Sequence, residues 1–248
     1  MQIQRRYPKA PITEALIDLR VTYGPGISLE KLKKFGSEIR DRYPNEATRD
    51  VVQGQISVIG PQHQQQSTRT TVGYIFHSAD RLQAVQARLD GFTFSRFAPY
   101  EDWEHLIGEA KSLWHAFVRS VEPVSVSRVA VRYINQINLP IKDGNLKFED
   151  YLRTFVTIGI EEDVTLEQFL VRLVMPQDDL TAKLILTEAL LPPQGDYVGV
   201  LVDIDLFREN AMVDVRSNDI WDILELFRNR KNQYFEGSIT DAARKLFE

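Results

Sequence analysis

The sequence contains no cysteine, and this absence excludes disulfide bonds, thiolate metal ligands and cysteine nucleophiles together. It also has no continuous apolar run of about 18 residues, the length that a membrane-spanning helix requires. The N-terminal stretch MQIQRRYPKAPITEAL has no apolar segment behind its arginines, so it does not read as a secretory signal. These absences predict a cytoplasmic protein that does not enter a membrane.

An excess of positive charge is absent as well. The 248 residues include 30 Lys and Arg against 35 Asp and Glu, which gives a formal net charge of -5. This acidic balance disfavours a general nucleic-acid binder. The four histidines follow no zinc-binding spacing, and there is no P-loop, nucleophile elbow or dinucleotide-binding fingerprint. We therefore expect no cofactor, and a binding protein is expected before an enzyme.

Alternating apolar and polar residues predict strands with one buried face along most of the chain. In the first segment, 14–23, the apolar residues share one face: Ala15, Ile17, Leu19 and Val21. Further strands are predicted at 51–59, 70–78, 81–89, 92–97, 126–139, 169–175, 182–190 and 197–206. Asp90-Gly91, between two such segments, predicts a tight hairpin.

Apolar residues at helical spacing predict the helices between these strands. Ser28 is placed to cap a helix that runs to about Arg42, and a final short helix carries Ser238 and Asp241 as a capping box. Two long helices and one short one are predicted at 99–121, 217–236 and 148–155. The basic run RNRKNQ, 228–233, lies near the end of the second long helix, where cations complement the helix dipole.

The order of strand, helix, meander and long helix occurs twice, which suggests an internal repeat. The predicted fold class is α+β, with two β-α-β4-α-like halves, 1–122 and 123–248. They are expected to form one compact unit over 1–248, with a curved antiparallel sheet and the long helices on one face. This is the arrangement of TATA-box-binding-protein-like and helix-grip folds, here as a single-chain pseudo-dimer.

The stretch SRVAVRYINQINLP, 127–140, places strong hydrogen-bonding groups in a predicted strand. Aligning the opening strands of the two halves makes Arg20 and Arg132 equivalent and turns both away from the helices. Arginine forks suit carboxylate and phosphate, so this pair is a candidate site for a polar or anionic ligand. The alternative is a polar network that holds the strands in register. Asn135, a further candidate, falls on the apolar face, either buried and hydrogen-bonded or shifted by a bulge.

The stretch VLVDIDLF places Asp203 and Asp205 on one face of another predicted strand. Two such carboxylates can bind Mg²⁺ or Mn²⁺ or take part in acid–base chemistry, which makes them weak metal-site candidates and ligand-binding candidates. The alternative is that they pair with the arginines on the same sheet face. Four aromatic residues could likewise stack with nucleic-acid bases or fill the core beneath a long helix: Tyr74, Phe76, Phe92 and Phe94.

Five stretches spread along the chain are YPKAPITEALIDLRV, DGFTFSRFAPYEDW, VSRVAVRYINQINLP, VLVDIDLF and NQYFEGSIT. Together they resemble a sporadically distributed bacterial protein family with no assigned activity. The resemblance implies no catalytic or binding residues, but the patchy distribution suggests a mobile-element, defence or toxin–antitoxin context.

The expected function is that of a cytoplasmic binding or interaction protein, whose partner is another protein or a small polar or anionic ligand. Two alternatives stay open. The first is a metal-dependent enzyme acting on a nucleotide or RNA, in which Asp203 and Asp205 hold the metal while Arg20 and Arg132 hold phosphate. The second is a nucleic-acid-binding saddle, which the acidic balance disfavours.

Overall fold

The computed structural model describes residues 5–59, 62–141, 146–154 and 167–248. Its strands are β1 Ile12–Thr22, β2 Asn45–Ile59, β3 Gln62–His77, β4 Gln83–Arg88, β5 Gly91–Phe97, β6 Ser125–Pro140, β7 Leu170–Gln177, β8 Ala182–Leu190 and β9 Tyr197–Asp214. Its α-helices are α1 Leu29–Glu38, α2 Trp103–Val121, α3 Asp219–Ser238 and α4 Asp241–Arg244. None of the helices in these ranges is long and apolar enough to cross a membrane.

All nine strands form one antiparallel sheet in the order β2-β3-β4-β5-β1-β6-β9-β8-β7. The two predicted opening strands, β1 and β6, are therefore neighbours at its centre. Each also pairs with the last strand of the meander that follows it, β1 with β5 and β6 with β9. The predicted α+β class with an antiparallel sheet is confirmed.

The core lies between the sheet and the helices. The alternation of β1 is as predicted, because Ala15, Ile17 and Leu19 are fully buried while the residues between them face the other side. Phe35 of α1 makes edge-to-face contacts with Phe76 and Phe92, so these rings belong to the core and not to a stacking platform. The face that none of the described helices covers is called the open face below.

Several boundaries differ from the prediction. The glutamine-rich stretch expected to form a loop belongs to β3 from Gln62 onward. The hairpin between β4 and β5 is present, but Arg88 pairs with Gly91, so its two loop residues are Leu89 and Asp90. The last helix is capped by Thr240 and not by Ser238, because the Thr240 hydroxyl accepts from the backbone N–H of Ala243.

The second predicted half, 123–248, also departs from the β-α-β4-α order. Within the described residues its meander has three strands, β7 to β9. A single 3-10 turn, Phe148–Asp150, is all that forms of the helix predicted at 148–155, and Phe155 lies outside the described residues. The two predicted halves are thus alike in that the opening strand pairs with the last strand of the meander, and different in their first helix.

Candidate functional site

Four of the predicted site residues lie together on the open face, within one group of charged side chains. This ionic cluster consists of Asp18, Arg20, Arg88, Asp90, Arg128, Arg132, Asp203 and Asp205. Its members come from β1, β4, β6, β9 and the β4–β5 loop. Opposite charges alternate through it, so the strands are joined across the centre of the sheet.

The Arg132–Asp203 pair has the strongest geometry among the predicted residues. The guanidinium donates from Nε to Asp203 Oδ1 at 2.8 Å and from Nη2 to Oδ2 at 2.5 Å, a bidentate arrangement. These hydrogen bonds raise the pKa of Arg132. Because both oxygens of Asp203 are occupied, its capacity to bind a metal is reduced. Nowhere in the described ranges do three metal-ligating side chains come together.

Asp18 is the buried centre of the ionic cluster. Its carboxylate accepts from Arg88 at 2.7 Å and from Arg128 at 2.8 Å, and Thr93 also donates to it. Burial alone would raise the pKa of Asp18, but the nearby Arg88 charge and these hydrogen bonds hold it below its ordinary value. This carboxylate therefore stays ionised and binds three neighbouring groups.

The other two predicted members are less firmly held. Arg20 pairs with Asp90 and lies 3.5 Å from Asp18, but Asp90 is itself 56% exposed, whereas the Asp203 partner of Arg132 is 10% exposed. Burial raises the pKa of Asp205, although Arg128 at 3.6 Å opposes that effect. The carboxylates in the cluster are thus taken up by arginines, which supports the interpretation that these groups hold the strands in register.

Asn135 lies on the opposite face, away from the other four candidates. It is 3% exposed, and its Nδ2 donates to the Val202 carbonyl at 2.9 Å. The irregularity near it lies between Ile12 and Glu14 of β1, while β6 stays in register with β9 from Arg128 to Pro140. Of the two possibilities left open by the sequence, the buried and hydrogen-bonded one is correct.

Asn135 also lines a cavity of about 1180 Å³, called the central cavity below. Its floor is the helix-side face of the sheet, where Tyr133, Asn135 and Ile204 lie. Its walls are the N-terminal segment before β1, the start of α2 and the C-terminal half of α3. Residues from both predicted halves therefore enclose it.

The lining of the central cavity is rich in cations. Six are present, opposed by four carboxylates: Arg5, Arg6, Arg153, Arg228, Lys231 and Arg244, against Glu101, Asp102, Glu104 and Glu236. Three of the cations are used in ion pairs: Arg6 with Asp102 at 2.6 Å, Arg228 with Glu104 at 3.0 Å, and Arg244 with Glu236 at 2.8 Å. In a protein of net negative charge, this cavity has a positive balance.

The remaining three cations, Arg5, Arg153 and Lys231, have no carboxylate partner in the part of the chain that the structure describes. Arg153 donates from Nε to the Ile239 carbonyl at 3.2 Å. Lys231 is 8% exposed, and its Nζ lies 3.2 Å from the centroid of the Tyr133 ring. Burial, with Arg228 as a like charge, lowers the pKa of Lys231 well below 10.5. The ring face favours the charged amine, but desolvation is the larger effect.

Two tyrosine hydroxyls join the α2 side of the cavity to its floor. The hydroxyl oxygens of Tyr100 and Tyr133 lie 2.8 Å apart, within hydrogen-bond distance. Burial raises the pKa of Tyr100 to about 12 and also raises that of Tyr133 well above its ordinary value. Both hydroxyls are therefore protonated at neutral pH and serve as hydrogen-bonding groups.

The periodicity of α3 explains why Lys231 faces the cavity. Ile220, Leu224 and Phe227 form its buried stripe, and Lys231 follows Phe227 by four residues, on the same helix face. Attributing the run 228–233 to the helix dipole was therefore wrong for Lys231, which points to the sheet. A lysine at a position where the helical pattern calls for an apolar residue was the signal that sequence analysis missed.

A second buried polar group lies nearby on the same sheet face. Glu188 of β8 and Asn135 of β6 are both register partners of Val202. Glu188 is 1% exposed, and its carboxylate oxygens have no hydrogen bond of normal geometry to the described residues, although the nearby Thr154 side chain acts on it as a weak donor. Burial raises its pKa to about 7. Glu188 does not line the central cavity, so we treat it as a separate titratable group.

Comparison with family models, curated proteins and solved structures gives no match for this chain. Functional inference therefore rests on the geometry of the ionic cluster and the central cavity.

Proposed function

We propose that this protein is a cytoplasmic binding protein whose central cavity takes a small anionic ligand. One observation carries the proposal: Lys231 presents a buried amine, against the Tyr133 ring, without a carboxylate partner among the described residues. Buried charges are ordinarily paired, because an unpaired one costs free energy. An anion in the cavity would supply the missing partner.

The size and lining of the cavity support this proposal. Small-molecule sites commonly have volumes of roughly 300–1,000 Å³, and the central cavity is of that order at about 1180 Å³. Arg153 and Lys231 supply positive charge, while Tyr100 and Asn135 supply neutral polar contacts. Aromatic surface from Tyr133 and Trp103 would pack against an apolar part of the ligand.

We also propose that the chain is a pseudo-dimer of the TATA-box-binding-protein-like type, with halves 1–122 and 123–248. The symmetric placement of β1 and β6 at the sheet centre supports this. So does the position of Arg20 and Arg132, which lie on the same sheet face as the repeat alignment requires. On this proposal the ligand binds where the halves meet.

The test is isothermal titration calorimetry at low salt with three anions: citrate, pyrophosphate and 1-anilinonaphthalene-8-sulfonate. We expect at least one to bind the wild type with a Kd of about 1 mM or tighter. Lys231→Met and Arg153→Gln should weaken that binding, because each removes a cation from the cavity.

Lys111→Met is the matched control. Lys111 also lies over an aromatic ring, that of Trp221 at 5.4 Å, but it is outside the cavity. This variant should bind as the wild type does. Failure of all three anions to bind the wild type, or equal weakening by Lys111→Met, would contradict the proposal.

A further inference from the structure

The amine of Lys231 has the surroundings of a nucleophile as well as those of a charge. It lies at the face of the Tyr133 ring and beside the central cavity. Among the described residues it donates to no carbonyl, hydroxyl or carboxylate. A neutral amine in that position keeps its lone pair free, and desolvation is a recognised way to activate a lysine towards carbonyl compounds.

The charged groups around the cavity favour the neutral form of this amine. Arg228, on the same helix, is a like charge that lowers the pKa of Lys231. Glu104 of α2, a carboxylate on the facing wall, is held by Arg228 at 3.0 Å. Tyr100 and Tyr133 are uncharged at neutral pH, since burial raises the pKa of each. Among the described residues, no carboxylate contributes to raising the pKa of Lys231.

We infer that Lys231 forms a reversible imine with an anionic carbonyl ligand, a 2-oxo acid or an aldehyde acid, whose carboxylate is bound by the cavity arginines. This rests on the proposed function and names its ligand class. In the reaction, the amine nitrogen attacks the carbonyl carbon and its two protons move to the carbonyl oxygen. That oxygen leaves as water when the C=N bond forms, so no oxidant, reductant or cofactor is needed.

Arg153 is the group best placed to hold the carboxylate of such a ligand. It lines the same cavity, and within the described residues its side chain hydrogen-bonds through Nε alone, to the Ile239 carbonyl at 3.2 Å. A guanidinium has further N–H donors. The ligand would therefore be fixed at two points, by an ion pair to Arg153 and a covalent bond to Lys231.

The experiment uses glyoxylate, the smallest aldehyde acid, with sodium cyanoborohydride to reduce any imine to a stable carboxymethyl amine. The full chain is treated at about pH 7, and peptide mass spectrometry measures the modification rate of each lysine. Each pH unit by which a lysine pKa is lowered increases the neutral fraction about ten-fold. We expect Lys231 to be modified at least about ten-fold faster than Lys111, and excess citrate to protect Lys231 only.

Lys231→Arg separates this inference from the proposed function, because arginine keeps the charge but forms no imine. If it binds citrate as the wild type does and the rapid glyoxylate adduct disappears, both ideas stand. If the wild type binds citrate but Lys231 reacts no faster than Lys111, the imine is refuted and anion binding stands. If neither citrate binding nor the adduct is found, both are refuted.

Discussion

Lys231→Met should stabilise the folded protein, although it removes a residue from the proposed site. Methionine keeps most of the buried alkyl stem of this side chain and removes the amine, which burial makes costly. The native pKa of Lys231 is lowered, so between that pKa and 10.5 the unfolded chain binds more protons than the native one. Wild-type stability then rises with pH through this window, and the cost of Lys231 is greatest below it.

The magnitude follows from the same linkage. The cost of Lys231 grows by about 1.4 kcal/mol for each pH unit below 10.5 until the native pKa is reached. Loss of the contact with the Tyr133 ring offsets roughly 0.5–2 kcal/mol of the gain. We expect a net stabilisation of at least about 1 kcal/mol near pH 7, a rise in Tm of about 2–4 °C for a chain of this size.

The assay is urea unfolding of wild type and Lys231→Met near pH 7 and near pH 10, with Lys111→Met as the control. The difference should be large at the lower pH and small at the higher one, while Lys111→Met should follow the wild type. A destabilised Lys231→Met, or a gain that does not change with pH, would refute the idea that the amine is buried and unpaired.

Four further outcomes are expected. Arg132→Ala should destabilise by about 1–3 kcal/mol in urea unfolding, because it leaves Asp203 buried without its partner, and adding Asp203→Asn should recover part of the loss. Arg20→Ala should cost under about 1 kcal/mol, because its partner Asp90 is 56% exposed whereas Asp203 is 10% exposed; an equal cost for both arginines would contradict the ranking. Glu188→Gln should be more stable to unfolding than the wild type by up to about 3 kcal/mol above pH 7. The pKa of Glu188 is raised to about 7, so its protonated form contributes stability that is fully present below pH 4.5 and is lost as pH rises through 7. A stability difference independent of pH would be inconsistent with this. Millimolar Mg²⁺ or Mn²⁺ should leave the melting temperature unchanged. A rise in melting temperature in the wild type that is lost in Asp203→Asn/Asp205→Asn would instead support the metal-site hypothesis.

The sequence predicted the sheet well because period-2 patterning reports directly on which face is buried. The burial of Ala15, Ile17 and Leu19 in β1 followed from that pattern. Boundaries were less certain because backbone pairing can extend a strand through polar residues. The glutamine-rich stretch after Gln62 forms strand through its pairing with β2, which residue preferences do not report.

The candidate site was predicted in part. Alternation placed Arg20, Arg132, Asp203 and Asp205 on one face, and the structure brings these four together. Alternation could not predict which of these charges pair, because the Arg132–Asp203 pair is a diagonal contact between β6 and β9. The central cavity lay beyond sequence reasoning, because it is formed by segments far apart in the chain, and only the stripe position of Lys231 pointed towards it.

Proton uptake on anion binding tests most directly whether Lys231 is the cation that pairs with the bound anion. Citrate is titrated into wild type and Lys231→Met near pH 8, in buffers with different ionisation enthalpies, so that calorimetry yields the number of protons taken up. We expect the wild type to take up protons as the anion charges its amine, and Lys231→Met to take up none and bind more weakly. Equal affinity and equal proton uptake in the two proteins would contradict the assignment of Lys231 as the anion-binding group.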